Sequence, residues 1–346
     1  MFPGQGAQVT GMGKAFYDEY ECSRKCFDTA SEVVGFSLRE LIFNEDDRLD
    51  KTEYTQIALY TTEMSILAAV EEMGFKPDVN IGLSLGEYSA ITASGALDFA
   101  DGCSLVRKRG SYMEQAVPQG IGAMAAVLGM TAEQVEEVVE HCNSGSKSGG
   151  SGEDSEITGD CGSGKSSEVG ESSKDHECGE GIRERLLCVA NYNCPGQVVI
   201  SGERNQVLHA MEALKAAGAK RVVELNCSGP FHSPMLAEAG EKLGEALEAV
   251  NFGTLEMPYV ANLTADYVTD TKNIKELLKK QVYSSVRFEQ SVRRLINDGV
   301  DTFVEIGPGR TLAGFVKKIA KDMGVEAINI KNVEKPEDLE ALAQEA

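Results

Sequence analysis

VNIGLSLGEYSAITASGAL, residues 79–97, is the stretch whose reading decides the fold. A short apolar run leads into Gly82-Leu83-Ser84-Leu85-Gly86, and a helical pattern follows at once. Where a strand turns directly into a helix, flanking side chains collide unless they are very small. Glycines at 82 and 86 meet that demand and leave Ser84 at the apex. The first N–H groups of the following helix then point toward any anion that forms beside the serine oxygen. A G-x-S-x-G pattern alone recurs by chance in a chain this rich in Gly and Ser. The strand before it and the helix after it are what favour Ser84 as a nucleophile.

Working outward, the same alternation returns near the C-terminal end. TFVEIGPG (302–309) is followed by RTLAGFVKKIAKDM (310–323), again a short apolar strand and then a longer helix. Such alternation predicts an α/β layer built on a mostly parallel sheet, an α/β-hydrolase-like large subdomain over 1–118 and 229–346.

Residues 119–228 follow a different order. GAMAAVLGM (122–130) predicts a strand and TAEQVEEVVEHC (131–142) a helix, with Thr131 as N-cap and Gln134 closing a capping box. RLLCVANYN (185–193) and QVVISG (197–202) predict a hairpin around Pro195-Gly196. A helix over 204–219 that ends at Gly218, then the strand KRVVELN (220–226), complete β-α-β-β-α-β, a ferredoxin-like small subdomain. Its first helix and second strand are separated by residues 143–181, rich in Gly, Ser and acids. That segment has too little apolar surface to offset its ordering entropy, which predicts a disordered insertion.

The chain has 346 residues and is 42% hydrophobic, enough for a sizeable core. A net charge of −22 disfavours nucleic acid and anionic membrane as partners, because the long-range field repels polyanions. No apolar run is long enough to span a bilayer, and MFPGQGAQVTGMGK has no signal-peptide pattern, so a cytoplasmic protein is expected. Nine cysteines, an odd number, argue against a complete disulfide framework and for reduced thiols. Cys142, Cys161, His176 and Cys178 have no recognisable zinc spacing, so no metal is expected.

A serine hydroxyl needs a base, and the chain has four histidines. His176 lies in the insertion, while His141 and His209 fall on helices where exposure is the simpler reading. His232, in NCSGPFHSPML, sits in a loop where the small subdomain returns the chain to the large one. Loops at such junctions often carry site residues, although a plain turn residue is the other reading.

Six blocks now stand in order: FPGQGAQ (2–8), GLSLGEYSA (82–90), VRKRGSYMEQA (106–116), NYNCPGQVVISG (191–202), GPFHSPM (229–235) and EIGPGRTLAGFVKKI (305–319). In order and approximate spacing the chain resembles the malonyl-CoA:acyl carrier protein transacylases, over essentially its whole length apart from the insertion. The resemblance implies an acyltransferase of fatty acid synthesis that takes malonyl-CoA and acyl carrier protein as partners and needs no cofactor. It implies Ser84 as the acyl-accepting nucleophile and His232 as general base and acid. Arg109 then corresponds to the arginine that clamps the malonyl carboxylate, a task suited to a planar guanidinium. Without the resemblance, Arg109 reads as an exposed helix charge like Arg107 and Lys108. Gln5 and Leu85 correspond to the oxyanion-hole backbone donors, and Gln281 to the residue whose carbonyl orients the histidine. Asn262 is placed in the same cleft, and Phe231 as the aromatic that favours malonyl over methylmalonyl.

The chain departs from the family pattern at Leu83, where many members have histidine, and in starting at FPGQG without the apolar strand that usually precedes it. The basic pairs Lys220-Arg221, Lys279-Lys280 and Lys317-Lys318 are candidates for meeting an acidic carrier. Two other readings compete. An esterase shares the serine turn but normally pairs its histidine with an acid; a carrier-binding protein without catalysis gives no reason for Ser84, His232 and Arg109 together.

Overall fold

A computed structural model describes residues 1–144, 186–227 and 229–345. The expected insertion at 143–181 falls almost wholly outside them, as do Cys161, His176 and Cys178. Asn143, its expected first residue, is instead the last residue of the helix Ala132–Asn143.

The strands are β1 (Asn80–Ile81), β2 (Gly122–Leu128), β3 (Cys188–Cys194), β4 (Gln197–Glu203), β5 (Arg221–Glu224), β6 (Tyr259–Val260), β7 (Tyr267–Val268), β8 (Thr302–Ile306) and β9 (Asn329–Val333). β1 pairs parallel with β6, and β8 parallel with β9. Met1 and Phe2 join these two pieces by hydrogen bonds on both sides. Phe2 N–H donates to Ile81 at 3.0 Å and Leu83 N–H to Phe2 at 3.0 Å, while the Met1 amino group donates to Val304 at 2.7 Å. The sheet is also less uniformly parallel than expected: β7 returns antiparallel to β6. The loop 261–266 between them is too short for a parallel crossover.

The four-stranded sheet has the order β3-β4-β2-β5 and is antiparallel throughout. Its helices are Ala132–Asn143, with the expected Thr131–Gln134 capping box, and Arg204–Ala216. β3 and β4 meet at Pro195-Gly196, where Gly196 takes φ 73°. Alternation along the strands separates two faces. Ala123, Ala125, Val127, Val198 and Ile200 pack under the helices against Val135, Val207 and Leu214. Met124, Ala126, Gln197 and Val199 face the other way and form one wall of a cleft.

The opposite wall depends on the helix Phe99–Ala116, started by Asp98, whose side chain accepts from Ala100 and Asp101 N–H. It packs tightly on the buried helix Thr52–Glu72. A Cβ at Gly102 would stand 1.9 Å from the Tyr60 hydroxyl, and one at Gly110 2.9 Å from Glu53 Cα. Among the described residues no helix is long and apolar enough to cross a membrane.

Candidate active site

The turn after β1 is as crowded as its glycines suggest. A Cβ on Gly82 would lie 1.9 Å from the Gly86 carbonyl carbon, and a Cβ on Gly86 2.1 Å from the Phe2 carbonyl oxygen. Ser84, half-buried between them, holds φ 54°, in the left-handed region that L-residues seldom occupy. Such a conformation costs on the order of 1–3 kcal/mol and needs bracing. Asn262 supplies it: its Oδ1 accepts from Ser84 N–H at 2.6 Å and its Nδ2 donates to the Gly82 carbonyl at 2.7 Å.

His232 is the second non-glycine residue at positive φ, 59°, and is only 3% exposed. Its Nε2 stands 2.7 Å from Ser84 Oγ, and its Nδ1 stands 2.8 Å from the Gln281 carbonyl. A carbonyl only accepts, so Nδ1 carries the proton and Nε2 is left to accept from the Ser84 hydroxyl. Burial, with the nearby Arg109 charge, pushes the imidazole down to about 4. At neutral pH it is therefore unprotonated and able to take the serine proton.

Arg109 is 1% exposed and lies within the buried stripe Gly102, Leu105, Val106, Arg109, Gly110, Met113. The exposed-charge reading is thus overturned, and the helical period itself marks the difference: Lys108 is exposed and falls off the stripe. The guanidinium donates Nη1 to Gln56 Oε1 at 2.7 Å, and Nη2 to Gln281 Oε1 at 2.9 Å and to Ser84 Oγ at 3.2 Å. It also lies 5.3 Å from the centre of the Tyr88 ring. Burial pulls its pKa below the ordinary arginine value.

Gln281 does more than offer its carbonyl. Its side-chain Nε2 donates to the Ser84 carbonyl at 2.8 Å and to Glu87 Oε2 at 2.7 Å, so one amide ties nucleophile, arginine and a buried carboxylate. Asn262 does not line the cleft as expected. It is fully buried beneath the turn, and both of its side-chain bonds are spent there, on the Ser84 N–H and the Gly82 carbonyl. Glu87 and Gln56 were not singled out from the sequence. The polar Glu87, in a helix buried on nearly every side, was the available signal.

The cleft, about 1000 Å³, is lined by Gln5, Gln56, Leu83, Ser84, Phe231 and His232 together with Met124, Ala126, Gln197 and Val199 of the four-stranded sheet. The Gln5 side chain donates to Thr52 Oγ1 at 3.0 Å, and the Gln5 and Leu85 backbone N–H groups donate to no described residue. Gly4 permits this approach, since a Cβ there would meet the Leu83 carbonyl at 2.5 Å. Phe231, 7% exposed, stands beside the histidine in the cleft wall. Two cysteines flank the site. Burial pushes the Cys188 thiol up to about 12 and that of Cys227 to about 11, which keeps both protonated. Among the described residues no group of acids, histidines and cysteines is arranged to hold a metal ion.

This geometry, a serine on a glycine-flanked turn against a carbonyl-held neutral histidine, suits acyl transfer through a covalent ester. The acyl transferase domain model matches residues 1–149 and 160–340, and the chain belongs to that family. Within it, the chain is similar to malonyl CoA-acyl carrier protein transacylases. It is 42% identical to that of Bacillus subtilis (strain 168), over 95% of this chain and 92% of the relative. The crystal structure of the Clostridium perfringens transacylase superposes with a TM-score of 0.83 at 41% identity, covering 99% of this chain and 95% of that one. A malonyl-transacylase solved in complex with a type II PKS acyl-carrier protein superposes with a TM-score of 0.84 at 30% identity, covering 100% of this chain and 98% of that one.

Proposed function

We propose that this chain transfers the malonyl group from malonyl-CoA to the phosphopantetheine thiol of acyl carrier protein, by a ping-pong route through a malonyl-Ser84 ester. The observation that carries the reading is the meeting of two groups on one oxygen: His232 Nε2 at 2.7 Å and Arg109 Nη2 at 3.2 Å from Ser84 Oγ.

In the first half-reaction Ser84 Oγ attacks the thioester carbonyl while its proton passes to His232 Nε2. The Gln5 and Leu85 N–H groups, which have no other acceptor among the described residues, take the oxyanion; such donors are worth about 3 kcal/mol each. The carbon–sulfur bond breaks and His232 returns the proton to the leaving CoA thiolate. In the second half-reaction the carrier thiol gives its proton to His232, its sulfur attacks the ester, and Ser84 recovers the proton as the carbon–oxygen bond breaks. The Gln281 carbonyl stabilises the imidazolium in both halves, in the place where an esterase would use an acid. Arg109 clamps the malonyl carboxylate, and an acyl group without one leaves that buried cation unmatched. Phe231 narrows the cleft beside His232 against a 2-methyl branch.

The same reading assigns residues 1–118 and 229–346 to an α/β-hydrolase-like subdomain and 119–228 to an inserted ferredoxin-like one, with the reaction between them in the cytoplasm. Of the basic pairs, Lys279 and Lys280 are matched internally by Glu241 and Glu276. Lys318 instead reaches Gln197 on the cleft wall and is the better placed to meet the carrier. Intact mass after mixing with malonyl-CoA tests the proposal: a malonyl adduct forms on the native protein and is absent from Ser84→Ala. No adduct on the native protein ends it.

A further inference from the structure

We propose that Glu87 is the counter-charge of Arg109, acting through the side-chain amide of Gln281, and that it limits how tightly the site holds a carboxylated acyl group. The inference rests on the reading of Arg109 as the clamp for that carboxylate.

A guanidinium that is 1% exposed is costly to bury without an opposite charge. Yet the hydrogen-bond acceptors of Arg109 are all neutral: Gln56, Gln281 and the Ser84 hydroxyl. Its Nε has no partner at all among the described residues. The missing charge sits one amide away. Gln281 presents its oxygen to Arg109 at 2.9 Å and its nitrogen to Glu87 Oε2 at 2.7 Å, so the amide dipole lies head to tail between cation and anion. Glu87 is itself 1% exposed, and the same Oε2 takes the Asn262 N–H at 3.2 Å. Its Oε1 has no partner among the described residues.

The titratable and charged groups that face Glu87 are Arg109, Tyr88 and Tyr259, from three separate elements. Burial pushes both phenols well up, so they stay neutral and Arg109 is the charge that Glu87 meets. An acyl carboxylate arriving at the guanidinium must therefore share it with Glu87 and is repelled by it. Without that negative charge, the substrate carboxylate becomes the sole counter-ion. Glu87 thus works as a positioning residue that tempers the pull of Arg109 on a carboxylate, so that the malonyl ester is not too stable to pass on.

Glu87→Gln keeps an oxygen for Gln281 and Asn262 while removing the charge. Two charges separated by one amide, at an effective dielectric of about 20, predict an effect on the order of tenfold. In stopped single-turnover loading followed by intact mass, the variant has a KM for malonyl-CoA lower by about that factor. Its acetyl loading is unchanged, and its malonyl-Ser84 ester passes to carrier more slowly. A side chain that merely packs would raise KM or slow both acyl groups alike, and an unchanged or raised KM in the folded variant overturns the inference.

A measurement on the native protein stands beside it in case the variant does not fold. Burial raises Glu87 to about 7 while His232 stays near 4, so Glu87 is the group of this site that ionises around neutrality. The ratio of malonyl to acetyl loading should fall on the order of tenfold as pH rises from about 6 to about 8, the CoA moiety cancelling between the two. A flat ratio overturns the inference and leaves the functional reading intact. Absence of any malonyl adduct on the native protein removes that reading, and the inference with it.

Discussion

Asn262→Ala perturbs the nucleophile without touching a reacting atom. The side chain is fully buried and makes two bonds, accepting from Ser84 N–H at 2.6 Å and donating to the Gly82 carbonyl at 2.7 Å. Alanine leaves one donor and one acceptor without partners. Each such group costs about 1–3 kcal/mol, less for the half-exposed serine, so a loss of about 2–4 kcal/mol in stability is expected. The kinetic effect follows from strain. Ser84 stays at φ 54° because its N–H is held, and once released the turn relaxes and draws Oγ away from His232 Nε2. A misplacement of about 1 Å is worth on the order of 10²-fold in rate. Asn262→Asp keeps the acceptor but loses the donor and adds a charge next to Glu87, so it should also load slowly. Urea unfolding measures the stability change, and rapid-quench loading of Ser84 with intact-mass detection measures the rate. Stability within about 0.5 kcal/mol of native, with native loading, would refute the bracing argument.

The pH dependence of acetyl loading, in which no acyl carboxylate meets Arg109 and Glu87, should be flat through neutrality and fall only as His232 protonates near 4; an acid limb near the ordinary value of 6.5 would contradict a buried neutral imidazole. The same depression has a stability sign. Below 6.5 the unfolded chain takes up a proton that the folded histidine refuses, so its contribution, about 3 kcal/mol, is present above 6.5 and lost as pH falls to about 4. Urea midpoints measured across that interval check it. Phe231→Ser opens the cleft wall beside His232 and should raise methylmalonyl loading on the order of tenfold, the usual worth of about one methyl group in an apolar pocket. A folded variant that gives no methylmalonyl adduct would exclude the steric role.

Features with a local cause were legible in the chain. Gly82 and Gly86 are required by contacts under 2.2 Å within and beside the turn, and the Thr131–Gln134 box closes within one helical turn. His232 could be reached by elimination among four histidines. The six sequence blocks then supplied the chemistry, including Arg109, whose place in the buried helix stripe was a signal that its charged neighbours obscured.

What no local pattern carried is how these residues are held. Ser84 depends on Asn262, 178 positions away, and on Gln281, 197 positions away. Period and spacing report which face of an element is apolar, and they end with that element. The partner of a buried polar atom is decided only when distant segments close around it and every donor and acceptor must be matched. Thus Ser84, His232 and the glycines around the turn were written in the sequence, whereas the amide of Gln281 between Arg109 and Glu87, and the placing of Asn262 beneath the turn rather than in the cleft, emerged from the packed fold.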